Sequence, residues 1–376
     1  MLIGLDSREL ARADVRGIGR YAWHLLDAMR TVAPEVRWRL FYDADSPAPA
    51  LPAGCPADLA PLRFRGDRWR LWEQIALPLW AAAGGVDLLH APASFAPALQ
   101  LSPTVITLHD TIAWDRFDGS GPGRRFLFTV LPRALRAARR IITISQHSRR
   151  DIVRRFPFTR NKIRVIHHGL DDRFLAPADP AGIAQLRQQL GLARPYVLYV
   201  GGSVPRKRAD WAVRLLAEWV ARPAGKDLDL ALLGLACQPA EPVLALAQSL
   251  GVRERVHVLP YLSADQLPSL YAGSELVVYP TLYEGFGFPA LEAQAMGKVI
   301  LMGRTSSLLE LAGPSAQLLN CEDFPQWSAA GLRWLEAPDE RSGVLEAARQ
   351  WAQGFRWERA ARQTWCVYQE AMNGAA

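Results

Sequence analysis

The sequence has no apolar run long enough to cross a bilayer, which excludes a helical membrane-spanning protein. Its most apolar stretch, Ile75 to Leu89, is broken by Pro78, Gly84, Gly85 and Asp87 and falls short of the roughly 20 residues a spanning helix needs. Cysteine is scarce. Cys55, Cys237, Cys321 and Cys366 lie far apart, with no CxxC and no Cys/His cluster at metal spacing. That excludes a zinc module or a disulfide framework and predicts buried, reduced thiols in a cytosolic protein. The start, Met1-Leu-Ile-Gly-Leu-Asp6, has neither the basic opening nor the apolar length of a signal peptide, so no export is expected. Internal repeats and low-complexity tracts are also missing, which leaves an ordinary globular chain.

What remains is a chain of 376 residues, 50% hydrophobic and 22% charged. At about 100 to 200 residues per domain this predicts two or three domains, each able to bury its own core. The 44 Lys and Arg exceed the 37 Asp and Glu by seven, and nearly all of the positive charge is arginine. Anionic partners follow, but net charge does not choose among nucleic acid, an acidic membrane surface and a phosphorylated substrate.

Short β-branched or leucine-rich runs alternate with longer Ala/Leu/Arg-rich stretches, the pattern of βα units on parallel sheets. Strands are predicted at Leu2–Leu5, Arg37–Tyr42, Leu88–Leu89, Thr104–Leu108, Ile141–Ile144 and Ile163–Ile166. A second series follows at Tyr196–Val200, Leu228–Leu232, Val256–Leu259, Leu276–Tyr279 and Val299–Leu301. Between the two series, Asp171 to Gly182 carries Pro177 and Pro180 and predicts a linker with its boundary at Pro177. Pro47 to Pro61 is expected to be a surface loop, and Trp351 to Met372 a helix returning to the first lobe.

The strongest constellation runs from Tyr279 through Glu284, Gly285, Phe286, Gly287, Phe288 and Pro289 to Glu292. A strand ends, a loop delivers a carboxylate, glycines admit a ligand to the backbone, and Pro289 marks a helix start. Helix-start N–H groups favour phosphate or sugar hydroxyls, and the two carboxylates accept bonds from hydroxyls. If the whole stretch were helical, eight residues would place the carboxylates roughly 80° apart, which predicts separate grips on one extended ligand. Gly285-x-Gly287-x-x-Ala290 meets the dinucleotide fingerprint only superficially, because loop residues and a glutamate separate it from the strand.

Gly201, Gly202, Ser203, Arg206 and Lys207 follow the strand 196–200 and suit a diphosphate, with flexible backbone first and cations next. His109 and Asp110 close another strand, where open parallel sheets place functional groups. Arg16-Gly17-Ile18-Gly19-Arg20-Tyr21 starts a helix after the first strand, a weak signal alone. Asp43-Ala44-Asp45 has the form of a metal-binding DxD, but it stands at the entry to a Pro-rich loop and a solvated turn fits it better.

Together these stretches resemble the retaining glycosyltransferases of family four, a resemblance that covers nearly the whole chain. Glu284 to Glu292 looks like that family's E-x7-E motif, and Thr305 to Gly313 is similar to the segment that follows it. Further matches are Ile142 to Asp151, Ile166-His-His-Gly169-Leu-Asp171 and the tail from Phe355 through Trp357. Arg16 stands where the family usually has the first of two glycines, and Lys298 and Leu309 replace common prolines.

The resemblance implies the α/β GT-B architecture, two Rossmann-like parallel-sheet domains facing a central cleft. Residues 1–177 would bind the acceptor, with a C-terminal helix over 358–376 packing back on them, and 178–357 would bind a nucleotide sugar. In that family's pattern Arg206 and Lys207 neutralise the departing diphosphate, which predicts chemistry without a metal or other cofactor. Glu284 and the backbone from Gly285 to Phe288 would hold the donor sugar, Glu292 the ribose, and Tyr261 and Leu262 the base. Gly17, Gly19, Gly202 and Ser203 would approach the phosphates. His109 would face the sugar, with Asp110 assisting or fixing its tautomer. Retention without a second nucleophile implies front-face attack, the departing phosphate taking the acceptor proton.

The subgroup pattern points to mannose from GDP-mannose, with UDP- or dTDP-sugars behind, and to a glycan or lipid-linked acceptor in bacterial polysaccharide or lipopolysaccharide assembly. Arg124, Arg125, Arg133, Arg136 and Arg140 belong to an arginine-rich stretch whose one acid up to Arg155 is Asp151. Helical spacing of Arg133, Arg136 and Arg140 predicts one face for anionic headgroups on the inner side of the cytoplasmic membrane, against the alternative of an ordinary solvated helix. A nucleic-acid-binding protein and a silent sugar-nucleotide sensor are the competing classes. No aromatic is interleaved with the arginines on a nucleic-acid motif, so no nucleic-acid partner is expected, and donor turnover separates the sensor from an enzyme.

Overall fold

The computed structural model describes residues 1–12, 17–63, 71–114, 123–236, 239–337 and 342–374, with the side chains of 123–127 left aside. Two compact units emerge, one of Met1–Gly169 with Phe355–Ala376 and one of Leu170–Gly354. The division falls at Gly169 rather than Pro177, because the supposed linker is already structured. Asp179 caps helix α5 (Pro180–Gln189) by accepting from the N–H groups of Ala181 and Gly182, and Pro180 takes a first-turn position where its missing N–H costs nothing.

In the first unit β1 (Leu2–Asp6), β2 (Arg37–Asp43), β3 (Ala57–Leu62), β4 (Leu88–Ala91), β5 (Thr104–Thr107), β6 (Arg140–Thr143) and β7 (Ile163–Val165) form one sheet. Their spatial order is β3-β2-β1-β4-β5-β6-β7, with every pair parallel. The connections carry α1 (Gly17–Val32), α2 (Leu77–Ala83), α3 (Gly123–Ala137) and α4 (Gln146–Arg155). A Pro-rich loop was expected up to Pro61, but Ala57–Leu62 pairs with β2 as an edge strand. Pro61 is tolerated there because an edge strand has one side with no ladder partner.

In the second unit the order is β10-β9-β8-β11-β12-β13, again parallel throughout. The strands are β8 (Tyr196–Val200), β9 (Asp229–Leu233), β10 (Val256–Val258), β11 (Leu276–Tyr279), β12 (Ile300–Gly303) and β13 (Ala316–Leu319). Helices α6 (Ala209–Val220), α7 (Glu241–Ser249), α8 (Leu267–Ala272), α9 (Phe288–Ala295), α10 (Phe324–Glu336) and α11 (Ser342–Ala352) complete it. One core cluster joins Leu230 and Leu232 of β9 to Trp211, Trp219 and Trp327 of the helices. Trp219 is seated so closely against α10 that a Cβ on Gly331 would collide with its indole.

The expected C-terminal helix divides. α11 ends at Ala352, and α12 (Trp357–Met372) belongs to the first unit. Glu370 of α12 accepts from both Arg140 and Arg164 at 2.8 Å, and these bonds hold its carboxyl below the usual carboxylate range. Tyr368 and His90 of β4 share a buried hydrogen bond of 2.7 Å. The thiols differ from expectation: Cys55 and Cys321 are half-buried and Cys366 is exposed on α12, while Cys237 lies outside the described residues. Arg16 lies outside them too.

Candidate functional site

In the second unit the C-terminal ends of β8 and β11 bring the two strongest sequence constellations together. β8 leads through Gly201 and Gly202 into a tight turn, Pro205–Lys207. The buried Tyr199 hydroxyl ties that turn down by donating to the carbonyls of Gly202 at 3.0 Å and Lys207 at 3.3 Å. A backbone bond of 2.8 Å from Leu282 N to the Arg206 carbonyl then docks the turn against the loop after β11.

Glu284 lies at the centre of this junction. One of its oxygens, Oε1, accepts from Lys207 Nζ at 2.5 Å, Arg206 Nη1 at 3.3 Å and Thr281 Oγ1 at 2.8 Å. Lys207 also donates to the Tyr279 hydroxyl at 3.2 Å. Burial, and next the neighbouring Glu284 carboxylate, hold that phenol well above its ordinary pKa, so it stays protonated. Arg206, Lys207, Thr281 and Tyr279 are all buried or part-buried, so the carboxylate meets its two cations where solvent screening is weak.

The loop is fixed from behind as well. Ser306 accepts the Glu284 N–H at 2.9 Å, and Ser307 donates to the carbonyls of Glu284 at 2.9 Å and Phe286 at 2.6 Å. Ser306 adopts φ 46°, a left-handed conformation that a non-glycine residue takes only where its surroundings enforce it. Gly287 precedes α9 at φ 109°, and a Cβ there would meet Leu308 at 2.6 Å, so glycine is required on both counts. Pro289 falls in the first turn of α9.

The two glutamates of the motif are not on one helix, since α9 starts only at Phe288. They do have separate partners. Glu292, buried within α9, accepts from the buried Tyr271 hydroxyl of α8 at 2.6 Å. Tyr261 is 76% exposed after β10 and Leu262 is buried beside it. Tyr279, Thr281 and Ser307 lie within stretches the sequence marked but were given no role there, and Tyr271 of α8 was not marked at all, because a hydroxyl's partner is set by the fold.

In the first unit His109 follows β5 and is buried. Its Nε2 lies 2.7 Å from the Pro92 carbonyl, and Ser94 Oγ accepts its backbone N–H at 3.2 Å. A carbonyl can only accept, so Nε2 carries the proton and Nδ1 is the acceptor. Pro92 therefore fixes the tautomer, the role expected of Asp110, whose Oδ1 instead accepts the Ile112 N–H at 2.9 Å. Burial lowers the His109 pKa to about 4, against which the Pro92 bond is the lesser effect.

Around it lies a cluster the sequence did not reveal. Tyr21 of α1 meets His109 edge-on at 5.1 Å and His168 at 4.9 Å, and His168 packs on Trp357 at 5.4 Å. Thr107 links Tyr21 (3.0 Å) to His90 (2.8 Å). Burial drives His90 to about 3, with His109 adding to the effect, and pushes His168 well below its ordinary value. Gly17 opens α1 and Gly19 is buried within it.

The arginine face is only partly as expected. Arg133 and Arg136 are exposed on α3, with Arg136 over the Phe158 ring at 4.3 Å. Arg140 is not on that helix: it starts β6, is buried, and pairs with Glu370. Arg124 and Arg125 sit in the first turn of α3, their side chains outside the described residues. Asp43 and Asp45 form a turn, Asp43 Oδ1 accepting the Asp45 N–H at 3.1 Å. No group of three metal-ligating side chains occurs among the described residues, and none of their helices is long and apolar enough to cross a membrane.

Comparison with known proteins fits this geometry. An MMP alpha-(1->4)-mannosyltransferase of Mycolicibacterium hassiacum is 30% identical over 284 residues, 72% of this chain and 66% of the relative. O-antigen chain mannosyltransferase B of Escherichia coli is 28% identical over 77% of this chain and 76% of its own. The chain thus spans just under two thirds of the mycolicibacterial relative. WaaG, a glycosyltransferase involved in lipopolysaccharide biosynthesis, superposes with TM-score 0.75 at 17% identity, covering 97% of this chain and 98% of WaaG. Anabaena HepE in complex with UDP gives 0.74 at 19% identity, covering 98% and 99%. At such identities the likeness establishes the fold, which is GT-B. Residues 15–174 match the family model described as Glycosyltransferase Family 4 and residues 183–351 that described as Glycosyl transferases group 1, and the chain belongs to this family of glycosyltransferases.

Proposed function

We propose that this chain transfers mannose from GDP-mannose, with retention, to a glycan or lipid-linked acceptor in bacterial surface polysaccharide assembly. The observation that carries the reading is the cation pair Arg206 and Lys207, held by Glu284 where β8 and β11 end. In a parallel sheet that edge is where ligands bind, and two fixed cations suit a leaving nucleoside diphosphate. They would stabilise charge developing in the transition state, and no metal is then required for that task. Glu292 would hold the ribose, and the 285–288 backbone the donor sugar. Two relatives named as mannosyltransferases support mannose. A UDP-sugar is the second reading, favoured by the complex of HepE with UDP.

Front-face transfer fits Glu284, because a carboxylate already engaged by two cations and a hydroxyl is a poor nucleophile. A covalent sugar adduct trapped on Glu284 would refute it. Residues 1–169 would take the acceptor, and exposed arginines such as Arg133 and Arg136 would hold the protein at anionic headgroups on the cytoplasmic face.

The test is a thermal-shift panel of GDP, UDP, dTDP and their sugars, with EDTA present, on wild type and Glu292→Ala. The expected result is a selective shift by GDP and GDP-mannose that the variant loses. A shift by UDP alone would move the donor, and no shift by any nucleotide would overturn the reading.

A further inference from the structure

Surface helices of a globular protein turn polar residues outward. The helical segment 71–83 of the first unit does the reverse. Its exposed positions are Leu71, Ile75, Leu79, Trp80, Ala82 and Ala83, all apolar, with Leu79 53% and Trp80 55% exposed. Its other face packs inward through Trp72, Ala76, Leu77 and Ala81. The one acid of the segment, Glu73, is turned inward and held by Arg8 at 2.6 Å. Both faces are therefore apolar, and only one is covered.

The patch does not stop at the helix. Gln74 bonds the carbonyl of Ala96 and the N–H of Ala98, fastening the loop that exposes Leu99 and Leu101. Gln100 of that loop donates to the Ala134 carbonyl of α3 at 2.9 Å, the helix on which Arg133 and Arg136 are exposed. An apolar ridge thus runs into a basic rim through two glutamine clasps. Several large apolar side chains exposed on neighbouring segments and rimmed by charge are the mark of an interaction surface.

We propose that this ridge is a bilayer-insertion surface: Ile75, Leu79, Trp80 and Leu99 enter the acyl boundary of an anionic membrane while Arg133 and Arg136 meet its headgroups. The occupant follows from the charge pattern. A second copy docked by the same face could cover the apolar ridge but would offer Arg133 and Arg136 no anionic partner, because the exposed residues named for this patch are apolar or arginine. Anionic lipid offers apolar depth and negative charge together, and a tryptophan on the outward face suits the membrane boundary. This deepens the membrane part of the reading above and does not depend on the donor.

Flotation of the full chain with vesicles of phosphatidylcholine and phosphatidylglycerol tests it, using wild type, Ile75→Ser/Leu79→Ser/Trp80→Ser, Trp80→Ser alone, and Arg133→Glu/Arg136→Glu. The exposed serine substitutions should leave the thermal transition in place. The triple variant should lose about tenfold or more of the bound fraction and Trp80→Ser an intermediate amount. If the triple variant floats like wild type while the arginine reversal does not, the ridge inference falls and the arginine reading stands. If the reverse holds, the ridge stands alone. If wild type does not float, or elutes as a dimer that the triple variant converts to monomer, the bilayer assignment is overturned.

Discussion

Replacing Glu284 by Gln removes one negative charge and little volume, so its effect measures what the carboxylate does for Arg206 and Lys207. Both cations share a single oxygen, at 3.3 and 2.5 Å, and the three side chains are only 10–16% exposed. Breaking a buried pair from one side costs about 3–5 kcal/mol, because the remaining charge stays buried. Glutamine keeps the bond to Thr281, and slight exposure admits some water, which places the loss near the lower end, about 3 kcal/mol. For a unit spanning 170–354 that lowers the melting transition by about 6–12 °C. Pyrophosphate would then return the missing anionic partner. Differential scanning fluorimetry should show a larger stabilisation by pyrophosphate in Glu284→Gln than in wild type, since the ligand no longer competes with a resident carboxylate. A variant melting within about 1 °C of wild type would refute the buried-charge argument. Equal pyrophosphate shifts in the two proteins would refute the idea that carboxylate and diphosphate use the same cations.

Three further outcomes are expected. Tyr271→Phe removes the hydroxyl that donates to Glu292 at 2.6 Å and should weaken nucleotide binding about three- to tenfold, the worth of an ordinary hydrogen bond, since Glu292 stays in place; calorimetric titration that finds unchanged affinity would dismiss Tyr271 as a positioning residue. Gly331→Ala drives a methyl into Trp219, whose indole donates to the Ser328 carbonyl at 3.1 Å, and overpacking of this kind costs about 1–3 kcal/mol in urea unfolding of the second unit. His90 and His109 are neutral when folded, at about 3 and 4, and bind protons near 6.5 when unfolded, so their stabilisation is full above pH 6.5 and is lost as pH falls towards 4. At pH 5 each contributes about 2 kcal/mol less than at neutral pH, and a urea midpoint of the first unit that stays flat between pH 7 and 5 would contradict their burial.

The sequence carried most of the architecture because parallel strands buried on both faces are continuous apolar runs, and β8 and β11 have the limits predicted for them. What it concealed was at the edges. β3 and β13 are outer strands with one partner each, and Ala57–Leu62 reads as loop because Pro61 and Asp58 fit best where half the ladder is open. The helical spacing of Arg133, Arg136 and Arg140 suggested one face, but the helix ends at Ala137 and Arg140 turns into the sheet. The motif residues of the candidate site were legible as residue types in order. Their pairing was not, because Glu284 finds Lys207 across 77 residues of chain, and no local pattern reports such a contact.

The two candidate sites solve opposite electrostatic problems, and this limits what each residue can do. A departing diphosphate needs charge that is present before the reaction begins. On the proposed reading Glu284 would keep Arg206 and Lys207 in place for it, since cations with a resident partner need no large rearrangement when an anion arrives. His109 is under the reverse constraint. Burial makes the imidazolium unfavourable, and the Pro92 carbonyl takes the one proton of the neutral ring. The ring therefore cannot serve as a cation or as an acid near neutral pH. Its remaining asset is the Nδ1 lone pair, which can accept from a sugar hydroxyl or lie against developing positive charge. Of the roles open to His109 in transfer from a nucleotide sugar, those two survive. His109→Asn keeps a neutral acceptor and should retain more activity than His109→Lys, which introduces the charge that the site is built to exclude; the opposite ranking in a donor-turnover assay would mean that His109 works as a cation after all.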